Sequence, residues 1–170
     1  RESHVMTSWA GRLYVLGGFD GTARANVYSA VVNTDGSLGP WREVRALPAA
    51  RYKSAGGAFG HTLYAFGGDN GVIPQSTVYA APINDDGSLG VWVATTALPS
   101  ARYSHGAAVS GNRVYVSGGI GAGVMDTEWS ALLNPGGVGA WRAETPLPLG
   151  LFQHLMAGGE GWLDVEGGHD

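Results

Sequence analysis

An all-β fold of repeated four-stranded units is predicted by three observations on this 170-residue chain. An apolar phrase closed by two glycines is written four times, as LYVLGG at 13–18, LYAFGG at 63–68, VYVSGG at 114–119 and LDVEGG at 163–168. Other landmarks keep the same spacing: Tyr28, Tyr79 and Trp129; Trp41, Trp92 and Trp141; and the pairs Leu47-Pro48, Leu98-Pro99 and Leu147-Pro148. Each complete unit also divides into four short runs bounded by Gly, Asp, Asn or Pro. A period of about 50 residues with four strands per repeat predicts a β-propeller, whose blades hide their faces against one another.

Within a unit the strands follow in order. Strand A is small and apolar, as in Ala55-Gly56-Gly57-Ala58 and Gly106-Ala107-Ala108-Val109, which suits an innermost strand where blades converge on the axis. Strand B, such as Leu13-Tyr14-Val15-Leu16, is apolar without alternation, the pattern of a strand covered on both faces. The Gly-Gly pair ends it with a backbone that no Cβ tolerates. Strand C is expected at Asn26–Val32, Thr77–Ile83 and Glu128–Leu133, and the phrases NTDGSLGPW (33–41) and NDDGSLGVW (84–92) turn the chain into strand D. Asp-Gly between apolar runs is a hairpin signal, and the following Leu-Pro suits an outer edge.

These landmarks divide the chain into blades at 1–50, 51–101 and 102–150 and a half blade at 151–170, where Asp164 and Glu166 replace the residues of Tyr14 and Leu16. Three and a half blades make an incomplete ring, so the chain reads as an arc of a larger propeller whose remaining blades are its first partners.

The R-x-x-H/S start, the LYxxGG run, the Trp of strand D and the closing Leu-Pro resemble Kelch repeats, over essentially the whole chain. The DGSLGxW turns are similar to those of bacterial Kelch-type propellers in the galactose-oxidase-like superfamily. The resemblance implies a Kelch-type propeller of six or seven blades in total. It leaves the activity open, because propellers carry many unrelated functions.

Fourteen acidic residues against ten basic ones, with Lys53 the single lysine, speak against a nucleic-acid partner. No apolar stretch reaches the roughly 18–20 residues of a membrane span. Cysteine is absent, which leaves the compartment open. It also rules out, within this chain, the Cys-linked tyrosine that the copper radical site of galactose oxidase requires. Low charge with abundant Gly and Trp leans towards a bacterial surface, periplasmic or secreted setting.

Antiparallel connectivity puts the A–B and C–D turns on one face and the B–C and D–A loops on the other. The C–D turns nearly repeat, whereas the B–C loops 19–24, 69–75 and 120–126 differ in every unit. Divergence among copies marks the binding face of a repeat protein. Its candidate ligand-binding residues are Arg51, Tyr52, Arg102 and Tyr103 at the mouths of the inner strands, with Asp20, Arg24, Asp69, Asn70, Gln75 and Asp126 on the loops. Arg and Tyr around a channel suit an acidic peptide or a sugar acid. Equally, an Arg that recurs in phase belongs to the repeat, bonding carbonyls of a neighbouring blade above a packed Tyr. His4, His105 and His154 share the fourth place of their units with Ser54; a polar residue there satisfies bonds between blades, and a metal is the rarer use.

No Ser-His-Asp, HExxH or Walker pattern appears, and nothing singles out a catalytic group, a metal or a cofactor. The function the sequence supports first is a non-catalytic binding or scaffold module presenting its B–C and D–A face to a protein or glycan. The alternative is a carbohydrate-active enzyme, such as a propeller similar to sugar-acid mutarotases.

Overall fold

The computed structural model describes the chain from Arg1 to Asp170. It contains fifteen strands and no helix. The first sheet runs β1 (Val5–Trp9), β2 (Arg12–Leu16), β3 (Val27–Val31) and β4 (Arg42–Val44) in spatial order. The second runs β5 (Ala55–Phe59), β6 (Thr62–Phe66), β7 (Val78–Pro82) and β8 (Val93–Thr95). In the third, β9 (Gly106–Ser110), β10 (Arg113–Ser117) and β11 (Glu128–Asn134) are followed by β12 (Gly137–Val138) and β13 (Arg142–Ala143), both of which pair with β11. The fourth is the hairpin of β14 (Leu155–Gly159) and β15 (Trp162–Glu166). All pairings are antiparallel. The inner strands β1, β5, β9 and β14 lie side by side in chain order, so the sheets fan about one axis as blades of a propeller.

The core lies between blades. Strand β6 is buried along its whole length. Its Leu63 and Ala65 join Tyr14, Leu16 and Val27 of the first sheet, while its Tyr64 and Phe66 join Val114, Val116 and Ala131 of the third. A period of two therefore sends alternate side chains into two different interfaces. Strand β15 carries Asp164 and Glu166 on its exposed positions, and no strand pairs with its outer edge.

Recurrent bonds tie each blade to the next. The Tyr14 hydroxyl donates to the Gly87 carbonyl in the C–D turn of the next unit, at 3.0 Å, and the Tyr64 hydroxyl lies 3.4 Å from the Asn134 and Gly137 carbonyls in the corresponding turn. In the opposite direction the Trp92 indole donates to Arg45 O at 3.0 Å and the Trp141 indole to Thr96 O at 3.2 Å. Tyr14, Tyr64, Trp92 and Trp141 are thus packing groups whose polar ends reach a carbonyl across the seam.

The glycine pairs sit on the same seam. Gly17, Gly67 and Gly118 have φ between 52° and 60°, and a Cβ on any of them would come within 3.0 Å of the carbonyl oxygen of the first residue of the next unit: Arg51, Arg102 or Leu151. Those carbonyls accept the N–H groups of Gly18, Gly68 and Gly119 at 2.7–2.8 Å. Gly167 has the same conformation at φ 67°, but open space lies where its Cβ would go.

Comparing these glycines separates conformational strain from collision. Gly167→Ala is expected to cost only the left-handed penalty of about 1–2 kcal/mol. Gly118→Ala adds a clash with backbone and is expected to cost at least about 3 kcal/mol. Equal losses in urea unfolding would show that the seam does not need the missing Cβ.

Candidate functional site

The D–A segments and B–C loops meet at one end of the blades. The first residues of each unit form single bridges with the B–C loop of the same unit: Glu2 with Phe19, Tyr52 with Asp69, Tyr103 with Ile120 and Phe152 with His169. Just beyond each bridge the chain turns sharply. Ser3, Lys53, Ser104 and Gln153 have φ of 54°, 51°, 55° and 57°, a conformation that costs a residue with a side chain about 1 kcal/mol or more. What holds them there is a ladder around the axis. The N–H of Lys53 donates to Ser3 O, that of Ser104 to Lys53 O, and that of Gln153 to Ser104 O, each at 2.8 Å.

The ladder rims an axial cavity of about 350 Å³ lined by residues of all four units, among them Lys53, Ser54, Ser104, His105, Gln153 and His154. Tyr52 and Tyr103 flank it, and the Lys53 ammonium lies 5.5 Å from the centroid of each ring, within cation–π reach. Phe19 packs on Tyr52 with centroids 5.1 Å apart. Phe19, Tyr52, Lys53 and Tyr103 therefore make one aromatic and cationic ridge across three units. Desolvation, followed by the Asp69 charge, raises the Tyr52 pKa.

The structure divides the sequence-selected residues into two groups. Arg51 and Arg102 are buried beneath the ridge. Arg102 is 0% exposed and donates through Nη1 to the Gly118 carbonyl at 2.8 Å and through Nη2 to the Ser100 and Thr127 hydroxyls at 2.7 and 3.0 Å. Burial lowers its pKa to about 10. The Gly118 and Thr127 acceptors belong to its own blade, whereas a neighbouring blade was expected to supply them. Arg51 donates to Ala50 O at 2.7 Å and stands 5.4 Å from the centroid of Tyr79.

Among the loop residues, Arg24 pairs with Asp20. Asp69 accepts the Gly71 N–H at 2.6 Å, and Asn70 accepts those of Val72 and Ile73 at 2.9 Å. Gln75 donates to Ile73 O at 3.0 Å. These side chains brace their own loops, while Asp126 is exposed. Lys53, Phe19 and the ladder residues were missed by reading the sequence for loop polarity. Their signal was phase, since Ser3, Lys53, Ser104 and Gln153 share the third place of their units.

His105 and His154 are 6% exposed, and neither ring nitrogen of either closes a hydrogen bond. His105 stands against the Phe66 backbone at the end of β6, in the preceding blade. Burial, then the charge of Arg102, lowers its pKa to about 3; burial also lowers that of His154. Both imidazoles are neutral at physiological pH, whereas His4 is exposed.

No model of a protein family matches the chain. Kelch-like protein 33 of Homo sapiens is 33% identical over 122 residues, which make up 71% of this chain and 22% of that protein. Among solved structures, that of YjhT superimposes with a TM-score of 0.77 at 14% identity, covering 98% of this chain and 62% of that one. The chain therefore spans less than two thirds of both.

Two expectations test these assignments. Arg102→Ala strands buried acceptors and is expected to lower the unfolding free energy by about 3 kcal/mol, measured by urea denaturation; an unchanged midpoint would mean that the guanidinium is not structural. For His105, the unfolded chain takes up a proton below its ordinary value of 6.5, whereas the folded one does not until about pH 3. Stability is thus complete above pH 6.5 and falls as the pH is lowered towards 3. His105→Ser, which copies Ser54, is expected to flatten this acid limb in melting curves recorded across that range.

Proposed function

Because the chain is an arc of a Kelch-repeat β-propeller, we propose that it is a binding or scaffold module that presents its B–C and D–A loop face to a protein or glycan. The observation that carries this reading is the contrast between the two ends of the blades. The C–D turns of the first two units are built alike, with Asp35 and Asp86 each accepting the N–H and hydroxyl of the Ser two residues on. The loops at the other end differ in every unit and gather the ridge of Phe19, Tyr52, Lys53 and Tyr103 over a polar cavity. Rigid aromatics beside an ammonium with three donors suit a partner that offers acceptor oxygens and a flat apolar group. The arginines beneath hold the face in place.

A carbohydrate-active enzyme is the second reading, and the axial cavity favours it, since about 350 Å³ lined by hydroxyls, an amide, imidazoles and an ammonium accommodates a small polar ligand. Its weakness is proton transfer. A general acid or base works best with a pKa near the working pH, and His105 is held at about 3.

Peptide and glycan arrays probed with the whole chain test the proposal. Binding is expected, and Tyr52→Ala combined with Tyr103→Ala is expected to weaken it at least about tenfold with the melting temperature unchanged. Binding that survives the double variant, or that is absent from both arrays, would overturn it.

A further inference from the structure

At the opposite end of the blades, the surface by which each sheet faces the next unit can be compared position by position. In the third unit Arg113 lies on β10, Glu128 and Ser130 on β11, and Arg142 on β13 with Glu144 just after it. Ser130 pairs with Arg142 across the sheet, and the Glu144 N–H donates to Glu128 O. Arg113 donates to the Ser130 hydroxyl, which donates to Glu144, and Arg142 donates to the same carboxylate oxygen through Nε and Nη2 at 2.9 and 2.6 Å. One carboxylate thus closes a two-arginine network.

The first unit keeps the arginines and loses the acids. Ser29 pairs with Arg42, and Val27 with Val44. Arg12, Ser29 and Arg42 therefore occupy the places of Arg113, Ser130 and Arg142, while Val27 and Val44 occupy those of Glu128 and Glu144. In the second unit the corresponding positions, Thr62, Ala80, Val93, Val78 and Thr95, carry no charge. The two ion pairs of the chain are Arg24–Asp20 and Arg142–Glu144, so neither Arg12 nor Arg42 is in one.

Arg12 and Arg42 line a groove of about 530 Å³ with Ser29, Asn33 and Ser88. It is closed on the far side by the C–D turn of the next unit, where Gly87 leaves room for the Arg12 side chain. Two carboxylates also line it, and both already have partners. Asp86 accepts the Ser88 N–H and hydroxyl at 2.8 and 2.7 Å, which, ahead of the Arg12 charge, keep its pKa low. Glu43 accepts the Asn26 amide.

We propose that this groove binds a carboxylate, seated between Arg12 and Arg42 where Glu144 sits in the third unit. A guanidinium donates strongly to a carboxylate, and in the third unit one Glu144 oxygen accepts from Nε and Nη2 of Arg142 and from the Ser130 hydroxyl, through which Arg113 is linked to it. None of Phe19, Tyr52, Lys53 and Tyr103 lines this groove, so it is separate from the aromatic ridge of the loop face.

Titration of the whole chain with succinate, followed by the NMR signals of the arginine Nε–H groups, tests this. Saturable shifts are expected at Arg12 and Arg42. Arg42→Gln is expected to weaken binding at least about tenfold. Val44→Glu, which restores the carboxylate of the third unit, is expected to abolish it. Saturation by inorganic phosphate but not succinate, equal binding by Val44→Glu and the unsubstituted chain, or the absence of saturable shifts at these two arginines would each overturn the proposal.

Discussion

Neighbouring blades meet where the first residue of one unit crosses the end of strand B of the unit before, and at that crossing the chain has no room for a Cβ. The carbonyls of Arg51, Arg102 and Leu151 take the space that side chains on Gly17, Gly67 and Gly118 would need, and accept the N–H of the glycine that follows each. This backbone-to-backbone contact sets the distance between sheets. Once it is set, the Tyr14 and Tyr64 hydroxyls reach the next unit's turn, and the Trp92 and Trp141 indoles reach back to the strand before. Interfaces filled from both sides follow, because alternate residues of β6 already point at the two neighbours.

The same crossing shapes the loop face. A chain that has passed over the glycines must turn back into strand A within a few residues, and it does so through the left-handed conformations of Ser3, Lys53, Ser104 and Gln153. The ladder of N–H to carbonyl bonds around the axis offsets their strain. It also brings the second and third residues of each unit to the rim, so Tyr52, Lys53 and Tyr103 gather without any loop being designed around them. Directly beneath, Arg102 holds the end of strand B in its blade, and the His105 and His154 rings pack against Gly67 and Gly118. This end of the blades is therefore variable in its loops and held by recurring backbone bonds beneath them.

Repetition also makes the exceptions informative. A residue that keeps its phase but lacks its usual counterpart stands out against its own copies in a way that a single domain never allows. Arg12 and Arg42 without an acid at the place of Glu144 are such a case, and the third unit supplies the reference geometry.

The strands, their order and the blade period were legible in the residues, because they depend on local backbone freedom and on whether alternate positions are apolar. Gly-Gly after an apolar run, Asp-Gly in a polar turn and Pro after strand D each act within a few residues of themselves. The two ends of the blades were legible as well, since antiparallel order alone assigns the turns. What each polar side chain is used for was decided only by the tertiary structure. Arg102 turns inward to its own blade, Asp69 and Asn70 close on their own loops, and Lys53 comes to rest between two tyrosines of different units. Those choices depend on which acceptors the neighbouring strands and blades bring within about 3 Å, a distance that arises only when residues remote in the chain are packed together.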